Sequence, residues 1–253
     1  MRQAALFVGL AFLLSWAAWG WAILTGSEAS IWRIAGSYGP SLAAVILAAQ
    51  AGELRCLLSG FARWRAPVWV WTFALLSTAV LGLAALGVDW LLGGRAEWLS
   101  PRVLVFAPVI FLWVLAFSVA GEETGWRGYL LPRLLERTGP LRASLVLGLV
   151  WALWHLPLWA LPGDFHAAIP LSLFAAQTLG FSILYTWLWL QSEGSLIVVH
   201  LFHAASNTTL GLLPLIPGEG AGGTRPLWIA VGLLWLVAIG VARRLPGEGA
   251  PGR

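Results

Sequence analysis

The sequence has no lysine, one cysteine and one methionine, and a tenth of its residues carry a charge. Each shortage excludes something. Cys56 alone cannot form an internal disulfide, which removes a secreted disulfide scaffold. Soluble domains carry about 25% charged residues, so a chain 10% charged and 59% hydrophobic is neither a soluble enzyme nor a disordered chain. No long polar stretch, internal repeat or separate soluble domain interrupts it. All 15 basic residues are arginine and lie scattered between apolar runs. The net charge of +4 therefore reads as a membrane-topology signal, not a nucleic-acid surface.

What is present is apolar length, with a mean hydropathy of +0.82. Eight apolar segments run over 4–24, 36–51, 67–92, 109–131, 143–161, 168–190, 195–215 and 227–242. A membrane span takes about 20 such residues. The expected fold is therefore all-α, a polytopic membrane helical bundle of about eight transmembrane helices, with 1–253 as one integral-membrane domain. The first segment follows Arg2 as a signal peptide would, but its length and the lack of a small-x-small cleavage site favour a span. The tail Leu245–Arg253 is expected to be disordered. Ten arginines fall at Arg2, in the 52–66 and 132–142 loops and at the C-terminal end; Arg33, Arg95, Arg102 and Arg225 fall on the other side. The positive-inside rule then puts both termini in the cytoplasm, for a protein of the cytoplasmic membrane. The 18 tryptophans partly fill interfacial belts, as at Trp64, Trp69, Trp71, Trp90 and Trp98.

A charge at the centre of a membrane helix costs about 2.5–3.5 kcal/mol on insertion scales, so ionisable residues there are candidates for function. Three places qualify. The first is Gly121-Glu122-Glu123-Thr124-Gly125-Trp126-Arg127. Glu123 and Arg127 stand four apart on one helix face and can neutralise each other. Glu122 is then the carboxylate without a local cation, a candidate general base. The alternative is a polar loop with a surface Glu pair, and Gly121, Gly125 and Gly128 suit either a loop or close packing. The second is Trp151-Ala152-Leu153-Trp154-His155-Leu156-Pro157, where His155 is an ionisable residue inside a span, a candidate for function or a buried His bonded to a backbone carbonyl. Glu122 lies 17 positions before Gly139 and His155 16 after it. If Thr138-Gly139-Pro140 is the turn of a helical hairpin, the two meet at one depth, about 16–20 Å from the loop arginines at 1.5 Å per residue.

The third place is His200-Leu201-Phe202-His203-Ala204-Ala205-Ser206-Asn207. His203 and Asn207 share a face and offer two hydrogen-bond donors, as an oxyanion hole requires. His200 reads as an interfacial histidine, and His166, beside Asp164 in the 162–167 loop, as a solvated one. Cys56 lies in a loop away from these motifs and Ser206 has no base on its own face. Neither is therefore a candidate nucleophile.

Glu-Glu-x-x-x-Arg, then aromatic-x-x-x-His, then His-x-x-x-Asn, each on its own membrane segment, resembles the CPBP intramembrane protease family: CAAX proteases of type 2, bacteriocin-processing enzymes and the Abi proteins. The likeness covers about residues 110–215, with Trp151 where the family usually has Phe. It implies an intramembrane endopeptidase in which Glu122 and His155 activate water and His203 and Asn207 hold the oxyanion. Glu123 and Arg127 would keep the first motif in shape. It also implies a membrane-associated or lipidated peptide substrate, and a cavity lined by Trp126, Trp151, Trp154 and Trp159 would suit one. No cofactor is favoured, because the chain lacks the His-Glu-x-x-His helix that gives zinc two ligands at once. The zinc alternative uses Glu122, His155 and His203 as ligands with one position open. A transporter with an intramembrane proton relay, or a scaffold, is the reading from a different class.

Overall fold

The computed structural model describes residues 2–217 and 223–246. The expected disordered tail therefore lies, from Gly247 on, outside the described residues. The described elements are all helical. In chain order the α-helices are α1 (Arg2–Thr25), α2 (Ser30–Ser37), α3 (Gly39–Gln50), α4 (Leu54–Ser59), α5 (Val68–Leu91), α6 (Pro101–Val105), α7 (Ala107–Phe117), α8 (Leu131–Leu135), α9 (Pro140–Trp154), α10 (Leu171–Gln191), α11 (Leu196–Leu212) and α12 (Arg225–Ala242). Six helices or helix pairs are long and apolar enough to cross a membrane: α1, α2–α3, α5, α9 with its 3₁₀ extension, α10 and α12. A seventh forms if the bent pair Ala107–Gly121 and Thr124–Leu135 is one span. The eighth apolar segment is α11, whose 17 residues make a shorter apolar helix. It spends His200, His203, Ser206, Asn207, Thr208 and Thr209 on polar surface. The chain is thus a multi-pass integral membrane protein.

Lipid-facing and protein-facing surfaces differ in side-chain size. Leu13, Leu24, Val80, Trp90 and Leu236 point outward and are exposed. The buried stripe of α1 is Ala4, Phe7, Ala11, Ser15, Trp19 and Ala22, and it packs on the small residues Ala43, Ala44 and Ala48 of α3. Between apolar helices in lipid, close approach of small residues replaces the hydrophobic driving force.

Two breaks position the site. The segment 109–131 is bent by 45°. It runs as α7, a 3₁₀ turn at Val119–Gly121, a π-helical stretch at Thr124–Leu130, and α8. Carbonyls freed by such a break need partners, because lipid offers none. Tyr38 Oη donates to Ala116 O and Ser41 Oγ to Ala120 O at 2.9 Å, while Ser37 Oγ, which donates to Ile34 O at 2.8 Å, lies 3.4 Å from Phe117 O. The second break follows α9. Pro157 has no N–H for the carbonyl of Leu153, so the α-helix ends at Trp154 and continues as a 3₁₀ turn over Leu156–Ala160. His155 sits at the joint.

Ion pairs join loops that the arginine count assigns to the same side. Arg133 pairs with Glu53 and reaches Gln3; on the other side Arg33 pairs with Asp164 at 2.8 Å and Arg225 with Asp89 at 2.5 Å.

Candidate active site

Gly121 and Gly125 press the glutamate-bearing stretch onto α2–α3. A Cβ at Gly121 would lie 2.4 Å from Ser37 O, and one at Gly125 would lie 2.5 Å from Pro40 O. Close packing, not a surface loop, is therefore the reason for these glycines. Glu122 and Glu123 are both buried, yet they face different neighbours. Glu123 Oε1 accepts from Arg127 at 2.7 Å and from His203 Nδ1 at 2.8 Å. The Arg127 guanidinium lies over the rings of Tyr185 (3.9 Å) and Trp151 (4.5 Å). Glu122 Oε2 accepts from the indole N–H of Trp151 at 2.8 Å. The donor is one helical turn before His155, so the two halves of the hairpin meet at the same depth. Phe at position 151 could not make this bond, so the Trp does more than replace one aromatic ring by another.

His155 Nδ1 donates to Trp151 O at 2.7 Å, since a carbonyl can only accept. In the neutral ring Nε2 then carries the lone pair. The backbone-bonded histidine and the base-presenting histidine are thus one arrangement. Glu122, His155, His203 and Asn207 all line a cavity of about 150 Å³. Trp151 and Trp154 line it too. Trp126 and Trp159 are not among its lining residues. Trp126 is spent packing edge-on against Phe7 and Trp154, and Trp159 donates to Ile169 O at 2.9 Å. His200 donates Nδ1 to Leu196 O at 2.6 Å and packs on Phe61, away from the cavity.

One part of the cavity wall departs from the sequence expectation. His166 is not a solvated loop residue; it and Asp164 are each 6% exposed and both line the cavity. The 161–170 loop folds inward because Asp164 Oδ1 accepts from the backbone N–H of His166 (3.0 Å) and from its Nδ1 (2.6 Å), while Arg33 Nε holds Oδ2. The His166 ring lies 5.7 Å from that of His155. Burial pushes the Asp164 carboxyl up. The hydrogen bonds and charge of His166, with Arg33, more than offset this and hold it below the usual carboxylate range. The Asp-x-His spacing carries no hydropathic signal that would announce such a fold-back. Gln177 and Phe174 of α10 also reach the cavity unannounced.

Among the described residues no group of three or more His, Cys, Asp or Glu side chains is arranged to hold a metal ion. His203 turns Nδ1 to Glu123, and one oxygen of Glu122 is held by Trp151.

Fold and cavity together define a polytopic helical membrane protein with a buried carboxylate–imidazole cluster at the bends of two helices. Residues 104–209 match the family described as type II CAAX prenyl endopeptidase, Rce1-like. The chain is also 33% identical over 142 residues to CAAX prenyl protease 2 of Methanococcus maripaludis, a match covering 54% of this chain and 49% of that protein. The chain thus spans about half the length of the curated relative it matches. The part of the chain that carries the three motifs is thus similar to type II CAAX prenyl endopeptidases.

Proposed function

We propose that the protein is an intramembrane endopeptidase that hydrolyses a peptide bond of a membrane-associated or lipidated protein by direct attack of water. The observation that carries this reading is the convergence of Glu122, His155, His203 and Asn207, from three separate segments, on one buried cavity. Meanwhile Glu123 is committed to Arg127 and His203.

Glu122 is the base that takes a proton from water, and His155 Nε2 accepts the other hydrogen bond of that water and orients it. The oxygen attacks the scissile carbonyl carbon. The oxyanion is held by the Asn207 carboxamide and by Nε2–H of His203, which donates while Nδ1–H remains on Glu123. His203 is then an imidazolium. With Arg127 it balances Glu122 and Glu123, so the cluster is neutral at the start. Moving one proton from water to Glu122 while the oxyanion forms leaves that balance unchanged. Glu122 returns the proton to the leaving nitrogen as the C–N bond breaks. No metal takes part in these steps.

The substrate class follows from the CAAX prenyl names of the family and the relative, and from a cavity inside the membrane. Residence in the cytoplasmic membrane with both ends cytoplasmic follows from the arginine asymmetry. The test is cleavage of a quenched fluorescent peptide ending in a prenylated CAAX sequence by the full chain in detergent. Glu122→Gln keeps the shape and the Trp151 bond but removes the base. It should fold normally and lose about 10²–10⁴ in rate. Full activity in that variant would refute the assignment.

A further inference from the structure

Gln177 lies on α10, one turn after Phe174, whose ring packs 4.9 Å from that of His155. It is 8% exposed, and its Oε1 has no hydrogen-bond partner among the described residues. Trp154 Nε1, on the same cavity, is also without a partner, but the two hydroxyls nearest in the fold are paired. Thr178 Oγ donates to Phe174 O at 2.9 Å, and Ser206 Oγ, across the cavity, donates to His203 O at 2.8 Å. A buried amide left unpaired is costly and calls for a reason. Its position supplies one. Gln177 lines both the cavity of Glu122 and His155 and a neighbouring side pocket of about 40 Å³, walled by Leu81, Leu210, Leu227 and Leu234.

A peptide bond can be attacked only where its carbonyl is free of helical hydrogen bonding, so the substrate must be extended at the point of cleavage. Inside a membrane an extended segment leaves N–H and C=O groups that lipid cannot pair, and the protein must pair them. A carboxamide offers one acceptor oxygen and two N–H donors, the complement of a peptide unit. We propose that Gln177 is a substrate-binding residue whose carboxamide pairs with the main chain of the bound peptide, Oε1 accepting a substrate N–H, beside an apolar pocket that takes a small aliphatic side chain. This rests on the proteolytic reading above and adds the group that holds the substrate's backbone.

The experiment uses the full chain in detergent, the prenylated CAAX peptide, and a series in which each backbone N–H flanking the scissile bond is replaced in turn by an ester oxygen. Gln177→Met keeps the side-chain length and removes the amide. It should raise KM about tenfold, the size of one hydrogen bond, with kcat within about twofold. Its thermal stability should equal or exceed the wild type's, because an orphaned polar group has gone. One ester peptide should show the same KM increase with wild-type protein and no further increase with Gln177→Met. An unchanged KM in the variant overturns the proposal, as do losses from ester and variant that multiply at every position. If the wild type cleaves no peptide, the proteolytic reading fails and this one with it. If the wild type cleaves and Gln177→Met matches it, this inference alone fails.

Discussion

Ala107–Phe117 and Thr124–Leu130 belong to one apolar segment, yet none of the eleven residues of the first is buried and six of the seven of the second are. Their composition differs as sharply as their burial: the first is apolar throughout, whereas the second carries Thr124, Arg127 and two glycines. The first is a lipid-facing helix whose side chains, such as Leu112 and Trp113, are more than half exposed. The second is locked by polar contacts: the Glu123–Arg127 pair, the His203 bond, and glycines that bring the backbone against α2–α3. In this protein the apolar residues fix which segments enter the membrane. The few polar ones fix where a segment bends and what it holds.

The sharpest way to break that contrast is to remove one member of the buried pair. Glu123→Ala leaves Arg127 and His203, both buried, without their shared carboxylate. Breaking a buried ion pair this way costs about 3–5 kcal/mol. Thermal unfolding in detergent should show a large loss of stability and yield, with activity lost as well. Leu112→Ala, on the lipid-facing stretch, should change stability by about 0.5 kcal/mol or less. Similar losses in the two variants would mean that the ion pair is not what locks the second stretch.

A smaller effect, on activity alone, is expected on α11, the helix that α7 and the π-helical stretch both pack against. Asn207→Ala removes one oxyanion donor and should lower turnover about 10²–10³-fold with the fold intact. His203→Ala should lose at least as much and also destabilise, because its Nδ1 bond to Glu123 goes too. Elemental analysis should find well under one zinc per chain in wild type and both variants, and prolonged chelation should leave wild-type cleavage unchanged. Stoichiometric zinc lost from His203→Ala but kept by Asn207→Ala would instead make His203 a ligand.

Much of the site is legible in the order of its residues. The spacing of Glu123 and Arg127 on one helical face implies their pairing, and nearly equal distances from Gly139, 17 and 16 positions, put Glu122 and His155 at about one depth. What stays hidden has a common physical character. The bend at Val119–Gly121 depends on Tyr38 and Ser41, about 80 residues away, capping carbonyls of the broken helix. No local pattern encodes that. The indole bond from Trp151 to Glu122 needs a Trp where an aromatic ring alone satisfies the motif. The inward fold of Asp164 and His166 depends on Arg33, on a different helix.

That outer loop gives the mildest of the tests, because its anchor is partly in solvent: the Arg33 side chain is 44% exposed while that of Asp164 is 1% exposed. The exposed arm of such a pair contributes about 0–1 kcal/mol. The bonds between Asp164 and His166 are buried and contribute more. Since the Asp164 carboxyl is held below its ordinary range in the folded loop, its contribution is fully present above about pH 4, the unfolded value. It is lost as pH falls through the lower folded value. A spin label at the exposed position Ala167, in a protein whose exposed Cys56 has been changed to Ser, reports whether the loop is seated. The wild-type label should stay immobile at neutral pH and become mobile on acidification below about pH 4. Asp164→Asn should already be more mobile at neutral pH and show little change below about pH 4. Arg33→Gln should fall between them. An Asp164→Asn label as immobile as the wild type's, with the same acid response, would show that the loop is held by packing on Phe174 and Trp159 and not by the carboxylate.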